Sequence, residues 1–119
     1  MLNNEFPPLG GGTGTVNQAI LDKLSDSPGL KIDLVTSSPE NIYESESFSE
    51  WISIYKVPVN RFDIHHASNK ELILFAFRSF SYAFRKPRQR KYDICLAWSA
   101  VPAGASALCL KLISGLPYM

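Results

Sequence analysis

The residues best suited to chemistry stand near the start of the chain, in Glu5-Phe6-Pro7-Pro8-Leu9-Gly10-Gly11-Gly12-Thr13-Gly14-Thr15. Four of the seven glycines fall within five positions there. Glycine lets a backbone approach a ligand closely, and a helix that starts just after it offers unpaired N–H groups and a partial positive charge. Such a run can cradle a phosphate, or it can be a turn with no ligand. A P-loop needs Gly-Lys-Ser/Thr, and no lysine precedes Lys23. A dinucleotide fingerprint needs a third glycine where Asn17 stands, and "LVTSS" supplies no acidic residue to hold a ribose.

Three further segments carry reactive types. Asp63-Ile64-His65-His66 precedes a helical pattern; it reads either as a polar lead-in loop or as a source of an imidazole for a ligand. Neighbouring histidines do not aim at one metal and no third ligand is near, so no metal site is expected. Trp98-Ser99 ends an apolar run; Ser99 caps the next helix or also bonds a ligand, with Trp98 lining the cleft. No G-x-S-x-G elbow surrounds Ser99, which argues against a hydrolase nucleophile. Arg85, Lys86, Arg88, Arg90 and Lys91 form a basic run at a helix end, where cations suit the dipole or could meet anionic lipid. No nucleic-acid recognition module accompanies them.

These segments need elements to hold them. Residues 31–37, 51–59 and 92–98 read as strands, with residues 1–5 and 116–119 as a first and a last one. Three helices are expected. Residues 16–25 would start at a Thr15/Gln18 capping box and place Val16, Ala19, Ile20 and Leu24 on one face. Residues 69–85 would start at a Ser68/Glu71 box. Leu72, Ile73, Ala76, Phe77, Phe80, Ala83 and Phe84 would form its core stripe, leaving Phe75 and Tyr82 off it, packed on the acidic loop. Residues 102–114 would follow, closed by Gly115 and Pro117.

That order predicts an α/β fold: a Rossmann-like, doubly wound, mostly parallel sheet with helices on both faces. Right-handed crossovers put residues 1–5 centrally, beside 92–98. Residues 38–50 are acidic, serine-rich and aperiodic, and are expected to be a mobile loop. Both end strands look clipped, so residues 1–119 are expected to be a single, partial domain.

The stretch "NNEFPPLGGGTGTVNQAILDKL", with "LKIDLVTS", "YKVPV" and "KYDICLAWSAVPAGASALCLKLISGLPYM", resembles the N-terminal domain of the retaining GT-B glycosyltransferases that use nucleotide-activated sugars (glycosyl transferase family 4-like). The likeness spans nearly the whole chain except the acidic loop. It implies an acceptor-side domain, with Gly11, Gly12, Thr13 and Gly14 bordering the donor diphosphate and His65, His66, Trp98 and Ser99 on the acceptor side of the cleft. It implies a nucleotide-sugar co-substrate rather than a cofactor, and a glycan or lipid-linked acceptor. It also implies a missing C-terminal donor-binding domain or partner chain, without which the chain alone would be inactive. No catalytic residue is assigned. The competing reading is a free-standing Rossmann-like module that docks a nucleotide or partner without catalysis.

Twelve basic and eleven acidic residues leave a formal charge of +1, which gives no global pull toward nucleic acid. Cys95 and Cys109 sit in apolar surroundings and read as buried reduced thiols. No signal-peptide pattern and no membrane-length apolar run is visible, so a cytoplasmic protein is expected, with the inner membrane face as a peripheral site.

Overall fold

The computed structural model describes residues 1–85 and 91–119. It is a small α/β protein. Helix α1 (Gly12–Leu24) is followed by strands β1 (Ile32–Ser38), β2 (Glu44–Ser47) and β3 (Ile52–Pro58), then helices α2 (Asn69–Arg85) and α3 (Ala105–Ser114). A single wide turn, Ala100–Gly104, leads into α3. The three strands form one mixed sheet in the order β1-β3-β2, with β1 and β3 parallel and β2 antiparallel to β3.

Single-residue bridges continue the pairing beyond β1. Leu2 pairs in parallel with Val35 on one side and with Ala97 on the other, and Cys95 pairs in parallel with Tyr118. Residues 1–5 therefore lie between β1 and residues 92–98, as crossover handedness requires. The backbone bonds fix this register: Asn3 N–H to Val35 O at 3.1 Å, Trp98 N–H to Leu2 O at 3.1 Å and Leu2 N–H to Leu96 O at 2.8 Å.

Side chains alternate across a strand, so these pairings separate two cores. Leu21 of α1 packs with Phe6, Ile32, Leu34, Ile52 and Ile54 on one face. Phe75 of α2 and Ala107 and Leu110 of α3 pack with Leu2, Val35, Tyr55 and Val57 on the other.

Helix α1 begins four residues earlier than its expected start at residue 16, and the expected Thr15/Gln18 capping box is not what starts it. Gly11 is the capping position and no side chain caps it. Thr15 Oγ1 donates instead to Gly11 O at 3.3 Å. The buried face is also rotated, to Gly14, Asn17 and Leu21, while Val16 is 50 % exposed. The cause is close packing. A Cβ on Gly14 would lie 3.1 Å from Leu9 O and 3.5 Å from Phe6 N, so only this glycine lets the helix rest on the preceding turn.

The Ser68/Glu71 box forms as expected. Ser68 N–H donates to Glu71 Oε2 at 2.8 Å and Glu71 N–H to Ser68 Oγ at 3.4 Å. The core stripe of α2 differs from the expected one. Glu71, Phe75 and Ser79, spaced by four, are buried, and Ile73 and Phe77 are 59 % and 70 % exposed. Apolar residues occupy every position from Leu72 to Phe77, so periodicity alone underdetermines the face. Polar ties decide it. Glu71 Oε1 also accepts the Phe62 N–H at 3.3 Å, and Arg78 Nη1 donates to Pro58 O at 2.6 Å. Ser79 and Ser106 meet at 3.1 Å where α2 and α3 cross, and Ser106 Oγ donates to Ala76 O at 2.9 Å. Small residues there allow close approach. Phe80, Ala83 and Phe84 do pack on the core, as expected.

The stretch 38–50 is not aperiodic throughout: four of its residues form the edge strand β2. Alternate acidic residues there meet one cation, Lys56 Nζ lying 3.9 Å from Glu44 and 2.9 Å from Glu46. Tyr43 stacks on Tyr82 with ring centroids 6.5 Å apart, so Tyr82 packs on this stretch as expected. Helix α3 starts at Ala105 rather than 102, because Val101 is extended at φ −137° and ψ 129°. Gly115 ends it in the left-handed conformation at φ 74°. Cys95 is buried, but Cys109 is exposed on the outer side of α3, a correction to the expected pair of buried thiols. No described helix is long and apolar enough to cross a membrane.

Candidate functional site

The strands of this sheet end where the candidate residues gather. Phe6 and Leu9 bury the turn after residues 1–5, and Leu9 N–H donates to Phe6 O at 2.9 Å. Gly10 follows at φ 90°, a left-handed position that favours glycine, and a Cβ there would also run into the Glu5 side chain at 2.6 Å. Of the expected phosphate loop Gly11, Gly12, Thr13 and Gly14, only Gly11 precedes the helix. Gly12, Thr13 and Gly14 form the first turn of α1. The correction moves the candidate from a free loop to a helix N-terminus, whose first amides lack intrahelical partners.

That N-terminus already has an anion beside it. Glu5 Oε2 accepts the Gly11 N–H at 3.3 Å and the Thr13 hydroxyl. A carboxylate is favoured there for the same reason a phosphate would be. The space around Gly11 and Gly12 is open, with no atom within 4 Å of a Cβ built on either.

The histidine loop is brought to the same edge. Gly10 N–H donates to Ile64 O at 2.7 Å, and Arg61 Nη2 reaches that carbonyl at 3.4 Å. Arg61 Nε donates to Asp63 O at 2.9 Å. Asp63 Oδ1 accepts the His65 N–H at 2.8 Å, and His66 Nδ1 is 3.7 Å from Asp63 Oδ2. The His65 amide is the main reason the Asp63 carboxyl titrates below its ordinary value. His65 and His66 are both exposed. Among the described residues no group of three His, Cys, Asp or Glu side chains converges as a metal site.

Trp98 and Ser99 lie along the same edge, where residues 92–98 pair directly with residues 1–5. Ser99 Oγ accepts the Ala103 N–H at 3.4 Å, so it caps the wide turn as expected. A Cβ on Gly104 would lie 2.9 Å from Ser99 O, and Gly104 N–H donates to that oxygen at 2.7 Å. Both residues line an open cavity of about 270 Å³ with Ala100, Gly104, Tyr118 and Met119. Of the basic candidates, Arg85 ends α2 and is exposed, and Lys91 is exposed; Lys86, Arg88 and Arg90 lie outside the described residues.

The sequence reading missed a row of polar side chains beneath α1. Leu2 stands opposite Val35 and Ala97, and the next residues, Asn3, Thr36 and Trp98, step together onto the α1 face. Neighbouring strands lie about 4.8 Å apart, which makes these three side chains adjacent. On this face the sheet is apolar at Leu34 and Ile54, then turns polar one row before its end. α1 follows the same change: Leu21 joins the apolar cluster, and one turn earlier Asn17 is fully buried. Five atoms have no hydrogen-bond partner among the described residues: Asn3 Nδ2, Asn17 Nδ2 and Oδ1, Thr36 Oγ1 and Trp98 Nε1. Leaving one buried polar group unpaired costs about 1–3 kcal/mol, so five in one place are a concentrated expense. Their signal in the sequence is faint: an asparagine where α1 needs an apolar residue, and a threonine closing "IDLVT".

Comparison with protein-family models, with curated proteins and with solved structures found no match for this chain.

Proposed function

We propose that the chain is a Rossmann-like, doubly wound domain that serves as the acceptor-side half of a nucleotide-sugar-dependent glycosyltransferase. The observation that carries this reading is the glycine-opened N-terminus of α1 at the C-terminal edge of the parallel strands. Leu2 lies between Val35 and Ala97 there, which is where the strand order of an open α/β sheet reverses and ligands collect. Helices on opposite faces of the sheet and the parallel Cys95–Tyr118 bridge support the doubly wound order.

In this reading the diphosphate of the donor approaches the amides of Gly11, Gly12 and Thr13, displacing the Glu5 carboxylate, and a second domain supplies the opposite wall. Charge that develops on the departing diphosphate is stabilised by those amides. His65, His66 and the cavity at Trp98 and Ser99 border the acceptor. The basic run from Arg85 to Lys91 meets anionic lipid when the acceptor is lipid-linked, which places the enzyme at the cytoplasmic membrane face.

The test uses the product of the complete reading frame with a panel of nucleotide sugars and acceptors. Transfer or donor hydrolysis is expected, and Gly12→Val should reduce it at least about tenfold with the melting temperature unchanged, since nothing surrounds that position. Neither transfer nor hydrolysis across the panel would sink the reading.

A further inference from the structure

The row of Thr36, Asn3 and Trp98 beneath Asn17 combines two things that seldom occur together. Asn17 and Thr36 are fully buried and Asn3 is 2 % exposed, yet each of them, with the Trp98 indole, has a polar atom without a partner among the described residues. Interiors select against such groups, and where several are kept side by side an ordered water or a bound molecule supplies the missing partners.

We propose that this row is the floor of a binding site for a small neutral molecule, or neutral group, that presents several hydroxyl or carbonyl oxygens. The hydrogen-bonding inventory sets the chemistry. Asn3 Nδ2, Asn17 Nδ2 and Trp98 Nε1 donate, Thr36 Oγ1 donates or accepts, and Asn17 Oδ1 accepts. Oxygen-rich, uncharged ligands match a donor-rich, uncharged floor. An ionised ligand does not. The same row continues in β3 to Lys56, which stands opposite Thr36, but that ammonium is engaged by Glu44 and Glu46.

Access comes from the same elements. The roof is the first half of α1, which begins with Gly12 and Gly14 and is tied at its start by the Glu5 contacts to Gly11 and Thr13. Gly11, Gly12 and Thr13 are exposed, so lifting this turn would part the backbone of Gly14 from Leu9 and Phe6 without withdrawing a side chain from the apolar core. Leu21, further along, stays in the apolar core and keeps the rest of the helix seated. At the side, Trp98 also lines the open cavity of about 270 Å³. The site does not depend on the glycosyltransferase reading; a module that only binds would use it equally.

The experiment records amide and indole N–H spectra of the 119-residue chain during titration with glucose, N-acetylglucosamine and uridine, with inorganic phosphate as the charged control. Saturable shifts of the Trp98 indole and of the Asn3 and Asn17 side-chain amides are expected with at least one neutral probe, and which probe acts distinguishes a sugar from a nucleoside. Asn17→Leu should abolish those shifts while raising the melting temperature, because it removes two unpaired atoms from the underside of the roof. Should Asn17→Leu fail to fold, the nearly isosteric Thr36→Val provides the same comparison, with at least about a threefold weaker response expected from the loss of one hydrogen bond. No saturable shift with any neutral probe would overturn the proposal. So would a response to phosphate alone, or a lowered melting temperature in both folded variants with the shifts retained.

Discussion

The Glu5 carboxylate accepts the Gly11 amide at 3.3 Å and the Thr13 hydroxyl, so the chain's own anion stands at the N-terminus of α1. A helix N-terminus favours negative charge by about 0.3–1 kcal/mol at exposed positions. Glu5→Gln should lower stability by that amount, read from the denaturant midpoint. The same substitution should tighten inorganic pyrophosphate binding severalfold in calorimetric titration, because the competing carboxylate is gone. Unchanged or weaker binding would show that Glu5 is a structural cap and not the occupant of an anion site.

The glycines of α1 should respond in opposite senses. Gly14→Ala drives a methyl to 3.1 Å from Leu9 O and should cost about 1–3 kcal/mol, as overpacked sites do. Gly12→Ala meets nothing within 4 Å and should be neutral or stabilise by up to about 1 kcal/mol through reduced backbone freedom. Equal effects in thermal melts would refute the account of why α1 is rotated.

Two phenylalanines two residues apart test the face of α2. Phe75 is fully buried, and Phe75→Ala should cost about 3–5 kcal/mol. Phe77 is 70 % exposed, and Phe77→Ala should change stability by less than about 0.5 kcal/mol. Urea midpoints of the two variants decide the matter; similar losses would mean the helix sits the other way round.

The two thiols should differ in reactivity. Cys109 is exposed and Cys95 buried, so a thiol reagent at mildly alkaline pH should modify Cys109 at once and Cys95 only on unfolding. Burial raises the Cys95 thiol above its ordinary value of 9.0. The unfolded chain then loses this proton first as pH rises, so the contribution to stability is constant below the unfolded value and falls above it. Cys95→Ala should flatten that alkaline decline in the pH profile of the urea midpoint. A decline of unchanged slope would assign it to other groups.

Helix α2 shows how much of this was legible. Its ends could be read from Ser68, Glu71 and Arg85, because capping and charge preferences are local and act within one turn. Its buried face could not, because six successive apolar residues satisfy every rotation. The inner face follows from contacts far along the chain, such as Arg78 with Pro58 and Ser79 with Ser106. The stretch 38–50 reads as aperiodic for a related reason: Glu44–Ser47 become a strand by pairing with β3, where Lys56 meets both Glu44 and Glu46. In the candidate site, the glycine run and Ser99 were visible as local turn and cap signals. The convergence of Asn3, Asn17, Thr36 and Trp98 was not, since they come from four separate segments.

By itself, the sequence determined the kinds of element, most of their ends and the right neighbours for residues 1–5, since propensity, capping and crossover handedness are properties of short segments or of chirality. Tertiary structure alone decided which face of each helix is buried, that Glu5 occupies the N-terminus of α1, and that Asn17 of α1 meets a row of three further side chains with unpaired polar atoms. Those outcomes depend on strand register and on the close approach at Gly14, where a difference of one residue or one methyl group would give a different answer.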